Sequence, residues 1–149
     1  MGLAIAISLV LLGATALIHY EGLHLVSRGL GRSDTVYSQG KVLRTIFWIF
    51  LIHLIEIALY AFGFWFADIV VDIGSFQGSH EIGLFHYFYF SAESFSTLGL
   101  GDLYPVGPLR LIASIEPING LLLLGWSTSF TFLCMSRYWT FGSEAANKT

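Results

Sequence analysis

The sequence predicts an all-α integral membrane protein with three transmembrane helices and one re-entrant half-helix, and three observations carry that reading. Charged residues make up 11% of the 149 residues, against roughly 25% in a soluble domain. Hydrophobic residues make up 55%, and the mean hydropathy is +0.71. Three stretches are also long and apolar enough to cross a bilayer, which takes about 20 helical residues. Such a chain cannot clothe itself for water, which excludes a soluble enzyme, a nucleic-acid binder and a disordered linker. Seven Lys and Arg against ten Asp and Glu give a net charge of −3, the wrong sign for attracting polyanions. The length allows one domain at most, and the single cysteine, Cys134, is read as a space-filler in a membrane helix.

The first expected helix runs from Gly2 to about His19 without a charge. Ala14-Thr15-Ala16 resembles a signal-cleavage site, but the basic residues Arg28, Arg32, Lys41 and Arg44 follow the apolar run instead of preceding it, which favours a retained helix. Residues 1–43 are thus an additional N-terminal helix and a connector, in which Gly22, Gly29, Gly31 and Gly40 are expected to interrupt any long helix. Leu23, Val26 and Leu30 with Arg28 and Arg32 suit either an amphipathic piece on the membrane surface or an ordered loop. The second helix spans 45–67 and is apolar apart from His53 and Glu56. Leu84 to Leu98 is too short to span once Gly99 and Gly101 end it, so it is the re-entrant piece. The third spanning helix covers 108–135, with Glu116 and Asn119 near its start, and 137–149 is a short tail. With the connector on the cytoplasmic side, six of the seven basic residues lie inside, and the outer segment carries Asp68, Asp72 and Glu81.

The chemistry concentrates in Ser94-Phe95-Ser96-Thr97-Leu98-Gly99-Leu100-Gly101-Asp102. Glycines alternating with larger residues permit backbone angles that turn successive carbonyl oxygens to one side. Copies around an axis then form stacked rings of oxygen able to replace the water shell of a bare cation, with the Thr97 hydroxyl below them. Such a backbone survives at membrane depth only if it lines water or is buried in protein. One copy cannot close a ring, so the motif requires an oligomer.

The pattern T-x-G-x-G-D-x-x-P, after an aromatic-rich short helix and before a spanning helix, resembles the potassium-channel pore-domain family. The resemblance covers about Phe85 to Met135 and, more loosely, Thr45 to Ala67. Its densest part, ESFSTLGLGDLYPV from Glu93 to Val106, is similar to the filter region of bacterial proton-gated potassium channels. It implies an ion-channel pore domain over 44–136, with outer helix 45–67, pore helix 85–97, filter 97–102 and inner helix 108–135, four identical chains surrounding one pore. Thr97, Leu98, Gly99, Leu100 and Gly101 would form the filter, with potassium held at Thr97, Leu98, Gly99 and Leu100. Glu93 and Asp102 match a carboxyl pair that meets behind the filter, and Tyr89 and Phe90 match the aromatics that brace it. Leu100 departs from the family's usual Tyr or Phe, and it resembles the second pore loop of some two-pore-domain potassium channels; a softer, less selective filter is the expectation. Gly120 aligns with the inner-helix hinge after a one-residue gap, with close helix packing as the other reading. Leu124, Thr128 and Phe132 follow on the face assigned to the cavity, where Phe132 is either a hydrophobic constriction or a lipid contact.

His53 and Glu56 share a helix face but make a weak metal site alone, and the extra first helix is expected to pack outside the core against them. His19 with Glu21, and His80 with Glu81 and His86, are expected to be solvated near the membrane surfaces. Nothing has the spacing of a catalytic arrangement, so the chain is not read as an enzyme. The expected function is passive potassium conduction by a homotetramer in the cell membrane of a prokaryote, with lipid as its surroundings and no cofactor, nucleic acid or soluble substrate. A weakly selective monovalent or divalent cation channel, or a non-conducting membrane scaffold, are the other readings. No basic residue recurs at every third position, which argues against voltage sensing.

Overall fold

A computed structural model describes residues 1–29, 39–78 and 83–146. Leu30, Gly31 and Arg32 of the expected surface piece, together with His80, Glu81 and Lys148, lie outside the described residues. Four helices dominate: α1 (Gly2–Gly29), α2 (Gln39–Trp65), α3 (Leu84–Phe95) and α4 (Leu109–Ala146). Three segments, Gly2–Gly29, Gly40–Val70 and Leu109–Ser136, are long and apolar enough to cross a bilayer, so the fold is that of an all-α membrane protein. The short α3 lies between the second and third of them in sequence.

The structure extends α1 ten residues past its expected end. Gly22 does not break the helix, because its bare face is where α2 comes closest: an added Cβ would lie 2.6 Å from Ile52 Cδ1. The buried residues Ala4, Ser8, Leu11, Thr15, His19 and Leu23 recur every three or four positions and form one stripe. Ser8 and Thr15 donate to the carbonyls of Ala4 and Leu11, both at 2.8 Å, which lets hydroxyls sit in an apolar contact. At the end of α1 the Arg44 guanidinium donates to the Gly29 carbonyl at 2.8 Å, a cation placed on the negative end of a helix.

After Trp65 the helix α2 widens into a π-helical turn, Phe66–Val70. Two four-residue strands that the sequence analysis does not anticipate follow: β1 (Ser75–Gly78) pairs antiparallel with β2 (Leu103–Val106), Ser75 opposite Val106 and Gly78 opposite Leu103. Phe76 of β1 joins α2 and α3 in an aromatic cluster, with ring centroids 5.5 Å from Phe64 and 4.9 Å from Phe90, and Phe64 lies 5.2 Å from Phe90. These edge-on arrangements are the favoured geometry for aromatic pairs. The cluster fixes α3 against α2 and so positions the loop that follows α3.

Polar side chains tie the spanning helices together deeper in the chain. Asn119 of α4 donates through its amide to Thr15 Oγ1 of α1 at 2.7 Å and to the Tyr60 hydroxyl of α2 at 3.2 Å. The Ser91 hydroxyl of α3 lies 2.8 Å from the Ile57 carbonyl and 2.5 Å from Glu116 Oε1, and its single hydrogen serves one of them at a time.

Candidate functional site

The segment after α3 has an unusual backbone. The dihedral φ is +61° at Thr97, +59° at Gly99 and +80° at Gly101, and it is negative at Leu98 and Leu100. Left-handed residues therefore alternate with ordinary ones over five positions. Glycine takes this conformation freely, but at Thr97 it costs about 1–2 kcal/mol. Strain of this kind persists only where the surroundings hold it.

Glu93 supplies the restraint. Its backbone carbonyl accepts from the amides of Leu98 at 2.8 Å and Gly99 at 3.3 Å, and its side-chain Oε2 accepts from the Leu100 amide at 3.1 Å. The Thr97 amide donates to the Ser94 carbonyl at 3.0 Å. Amide hydrogens thus point back into the chain. Among the described contacts, the carbonyl oxygens of Thr97, Leu98, Gly99 and Leu100 accept no hydrogen bond. The whole stretch from Ser96 to Gly101 is exposed in the single chain, including the Leu98 and Leu100 side chains. No Lys or Arg occurs between Leu84 and Gly107, so the local field comes from Glu93, Asp102 and the C-terminal end of α3, all favouring a cation.

The two carboxyls expected to meet do not share a hydrogen bond. Glu93 is occupied by Leu100, and Asp102 accepts from the Tyr89 hydroxyl at 3.1 and 3.2 Å. Burial still pushes the Glu93 carboxyl above the ordinary glutamate value, the Leu100 amide opposes the shift, and the Asp102 charge adds to it. Of the two bracing aromatics, only Tyr89 reaches this loop. Phe90 lies on the opposite side of α3 and packs on Phe64 and Phe76, because residues adjacent on a helix point about 100° apart.

On α4, Gly120 sits directly under the end of α3: an added Cβ would overlap the Phe95 carbonyl oxygen. Close packing accounts for this glycine, and α4 runs unbroken through it and through Pro117. Leu124 is half-buried, while Thr128 and Phe132 are exposed in the single chain. Four-residue steps overshoot a helical turn by about 40° each, so Gly120 faces its own α3 and Phe132 faces outward. The Thr128 hydroxyl is returned to the Leu124 carbonyl at 2.8 Å. Glu116 is fully buried and bound by Ser91, a link between α3 and α4.

His19 is not solvated. It is fully buried and bonded to Glu56 at 2.8 Å, so α1 does pack against the His53 and Glu56 face of α2. Ser127 of α4, which the sequence analysis passes over, meets the same group. The signal that reveals His19 is the polar stripe Ser8, Thr15 and His19 on one side of an otherwise apolar helix. His86, by contrast, accepts from the Gly83 amide at 2.6 Å at the start of α3, in an exposed position.

A family model described as ion channel matches residues 47–137, more than half of the chain. The match takes in most of α2, the β1–β2 pair, α3, the loop after it and most of α4, and it leaves α1 outside. No curated protein and no solved structure matches the chain. The matched segment is the part that carries the alternating backbone and its restraints, and on that match this chain belongs to the ion channel family.

Proposed function

We propose that the chain is one subunit of a homotetrameric potassium channel of a prokaryotic cell membrane, in which Thr97, Leu98, Gly99, Leu100 and Gly101 line the ion path. The observation that carries this reading is the run of unpaired carbonyls from Thr97 to Leu100, kept free by the amides' bonds to Glu93. Copies arranged about a common axis stack these oxygens into rings that replace an ion's hydration shell, with sites at Thr97, Leu98, Gly99 and Leu100. Exposed backbone of this kind cannot face lipid. Neighbouring copies and a file of ions are what cover it. Potassium is cargo here, moving passively down its gradient, and no bond is made or broken. Thr128 and Phe132 border the cavity below and meet the ion path, with Leu124 half-buried beside them, while Gly120, turned toward α3, sets how closely α4 approaches it.

Leu100 favours a second reading, a weakly selective cation channel, because its side chain has no hydroxyl with which to brace the loop. Purified protein in liposomes separates the two. The expected result is potassium flux, blocked by barium, with a reversal potential that follows potassium in mixed potassium and sodium. Equal permeability to both ions supports the weakly selective channel, and Leu100→Tyr should then sharpen discrimination. Absence of any cation flux would leave only the scaffold reading and end the proposal.

A further inference from the structure

Behind the ion path, α1, α2 and α4 bring four polar side chains into a closed ring. Glu56 Oε1 lies 2.8 Å from His19 Nδ1, and Glu56 Oε2 lies 2.8 Å from His53 Nδ1. The far nitrogens of both imidazoles converge on a single hydroxyl: Ser127 Oγ is 3.0 Å from His53 Nε2 and 3.4 Å from His19 Nε2. His19 and Glu56 are fully buried, and His53 and Ser127 nearly so. Aromatic rings wall the group, Trp126 at 5.3 Å from His19 and Phe95 at 5.8 Å from His53.

With Glu56 ionised and both imidazoles neutral, the hydrogens in this ring do not add up. An ionised carboxylate only accepts, so both Nδ1 atoms donate to Glu56, and each neutral imidazole then presents its Nε2 as a bare lone pair. Ser127 has one hydroxyl hydrogen and serves one lone pair. The other faces an oxygen with nothing between them. Each ring is oriented by a carboxylate on one nitrogen and offers the other as a lone pair beside the same hydroxyl, which is how histidines are commonly presented to a metal ion.

The spacing agrees with that chemistry. Tetrahedral zinc bonded at about 2.0–2.1 Å separates its ligands by roughly 3.3 Å, close to both measured distances from Ser127 Oγ to the imidazoles. Suitable ligand atoms of His19, His53 and Glu56 all lie within 4.8 Å of one another. Imidazole suits zinc and its transition-metal neighbours, and the Glu56 carboxylate offsets part of the ion's charge in an apolar setting.

We propose that His19 and His53, with Ser127 as third ligand and Glu56 orienting both rings, bind one divalent transition-metal ion per chain. The ion bridges the additional helix α1, which lies outside the family match, to the two spanning helices of the matched segment. It would thereby make α1 part of the channel's frame, next to Phe95 at the root of the exposed loop.

The test uses the full chain in detergent, stripped with a chelator and titrated with zinc chloride by calorimetry and with cobalt(II) by absorption. The expected result is one zinc per chain and the intense visible bands of tetrahedral cobalt. His19→Gln and His53→Gln should each weaken zinc at least tenfold, and Glu56→Gln by about 10–100-fold through lost orientation. Failure of the unaltered chain to take up zinc overturns the proposal and leaves a shared proton as the group that completes the ring. Uptake that survives both histidine substitutions also overturns it, placing the metal elsewhere, for instance at the exposed Glu21 and His24 pair. The decisive measurement is made on the unaltered chain and needs no conductance, so its outcome is independent of the potassium reading.

Discussion

The loop from Ser96 to Gly101 and the polar seam behind it treat the same problem in opposite ways. In the loop, amides are tied to Glu93 while carbonyls are left open on an exposed surface. In the seam, Thr15, His19, His53, Glu56, Tyr60, Asn119 and Ser127 meet one another within one chain and are almost wholly buried, one imidazole nitrogen beside Ser127 alone awaiting a proton or a metal ion. Polar groups at membrane depth must be satisfied internally or must face something other than lipid. The seam takes the first course and binds helices together; the loop takes the second, and in the proposed tetramer it is covered by neighbouring copies.

Substitutions can break this contrast, and the largest effect is expected in the loop. Gly101→Ala places a Cβ on a left-handed residue at about 1–2 kcal/mol per copy, repeated in each subunit of the proposed tetramer. Flux in liposomes should fall nearly to background while the assembly elutes unchanged; persistent flux would mean that ions travel elsewhere. Next comes Asn119→Leu, which removes the amide donor that the buried Thr15 and Tyr60 oxygens share and should cost about 1–3 kcal/mol. Denaturation in detergent measures that loss, and ion discrimination should not move. Altered discrimination without lost stability would dissolve the distinction between the two regions.

A third test sharpens the comparison at Glu93, the residue that serves the loop from behind. Its carboxyl is raised above the ordinary value of 4.5, chiefly by burial. The folded state therefore holds the proton more tightly than the unfolded chain, and the stabilisation is complete below the ordinary value. Stability should decline as pH rises from there through the raised value, and Glu93→Gln should flatten that slope in melting curves. The smallest effect is expected from Tyr89→Phe, which removes one partly exposed hydrogen bond to Asp102. A slight rise in sodium leak with unchanged melting is the outcome to look for in bi-ionic recordings.

Length and hydropathy made the three spanning helices legible, whereas α3, expected to run to residue 97 or 98 before Gly99 and Gly101, ends at Phe95. The glycines of α1 misled, because a break and a close approach leave the same mark in sequence, and only the position of Ile52 distinguishes them. Strands of four residues are too short for a two-residue period to stand out, so β1 and β2 were invisible. His19 was misjudged since its partner, Glu56, is 37 residues away. At the loop, the identity of the residues foretold the unusual backbone, but not that Glu93 would bind Leu100 in place of Asp102.

The antiparallel pair has one more consequence. The loop leaves α3 at one end and, immediately after Asp102, enters β2, whose partner β1 hangs from the end of α2. It is a bridge resting on two separate abutments. A residue inserted between Thr97 and Asp102 would have to buckle the deck, and a deletion would pull one pier toward the other. Chain length in this stretch is therefore as strictly set as residue type.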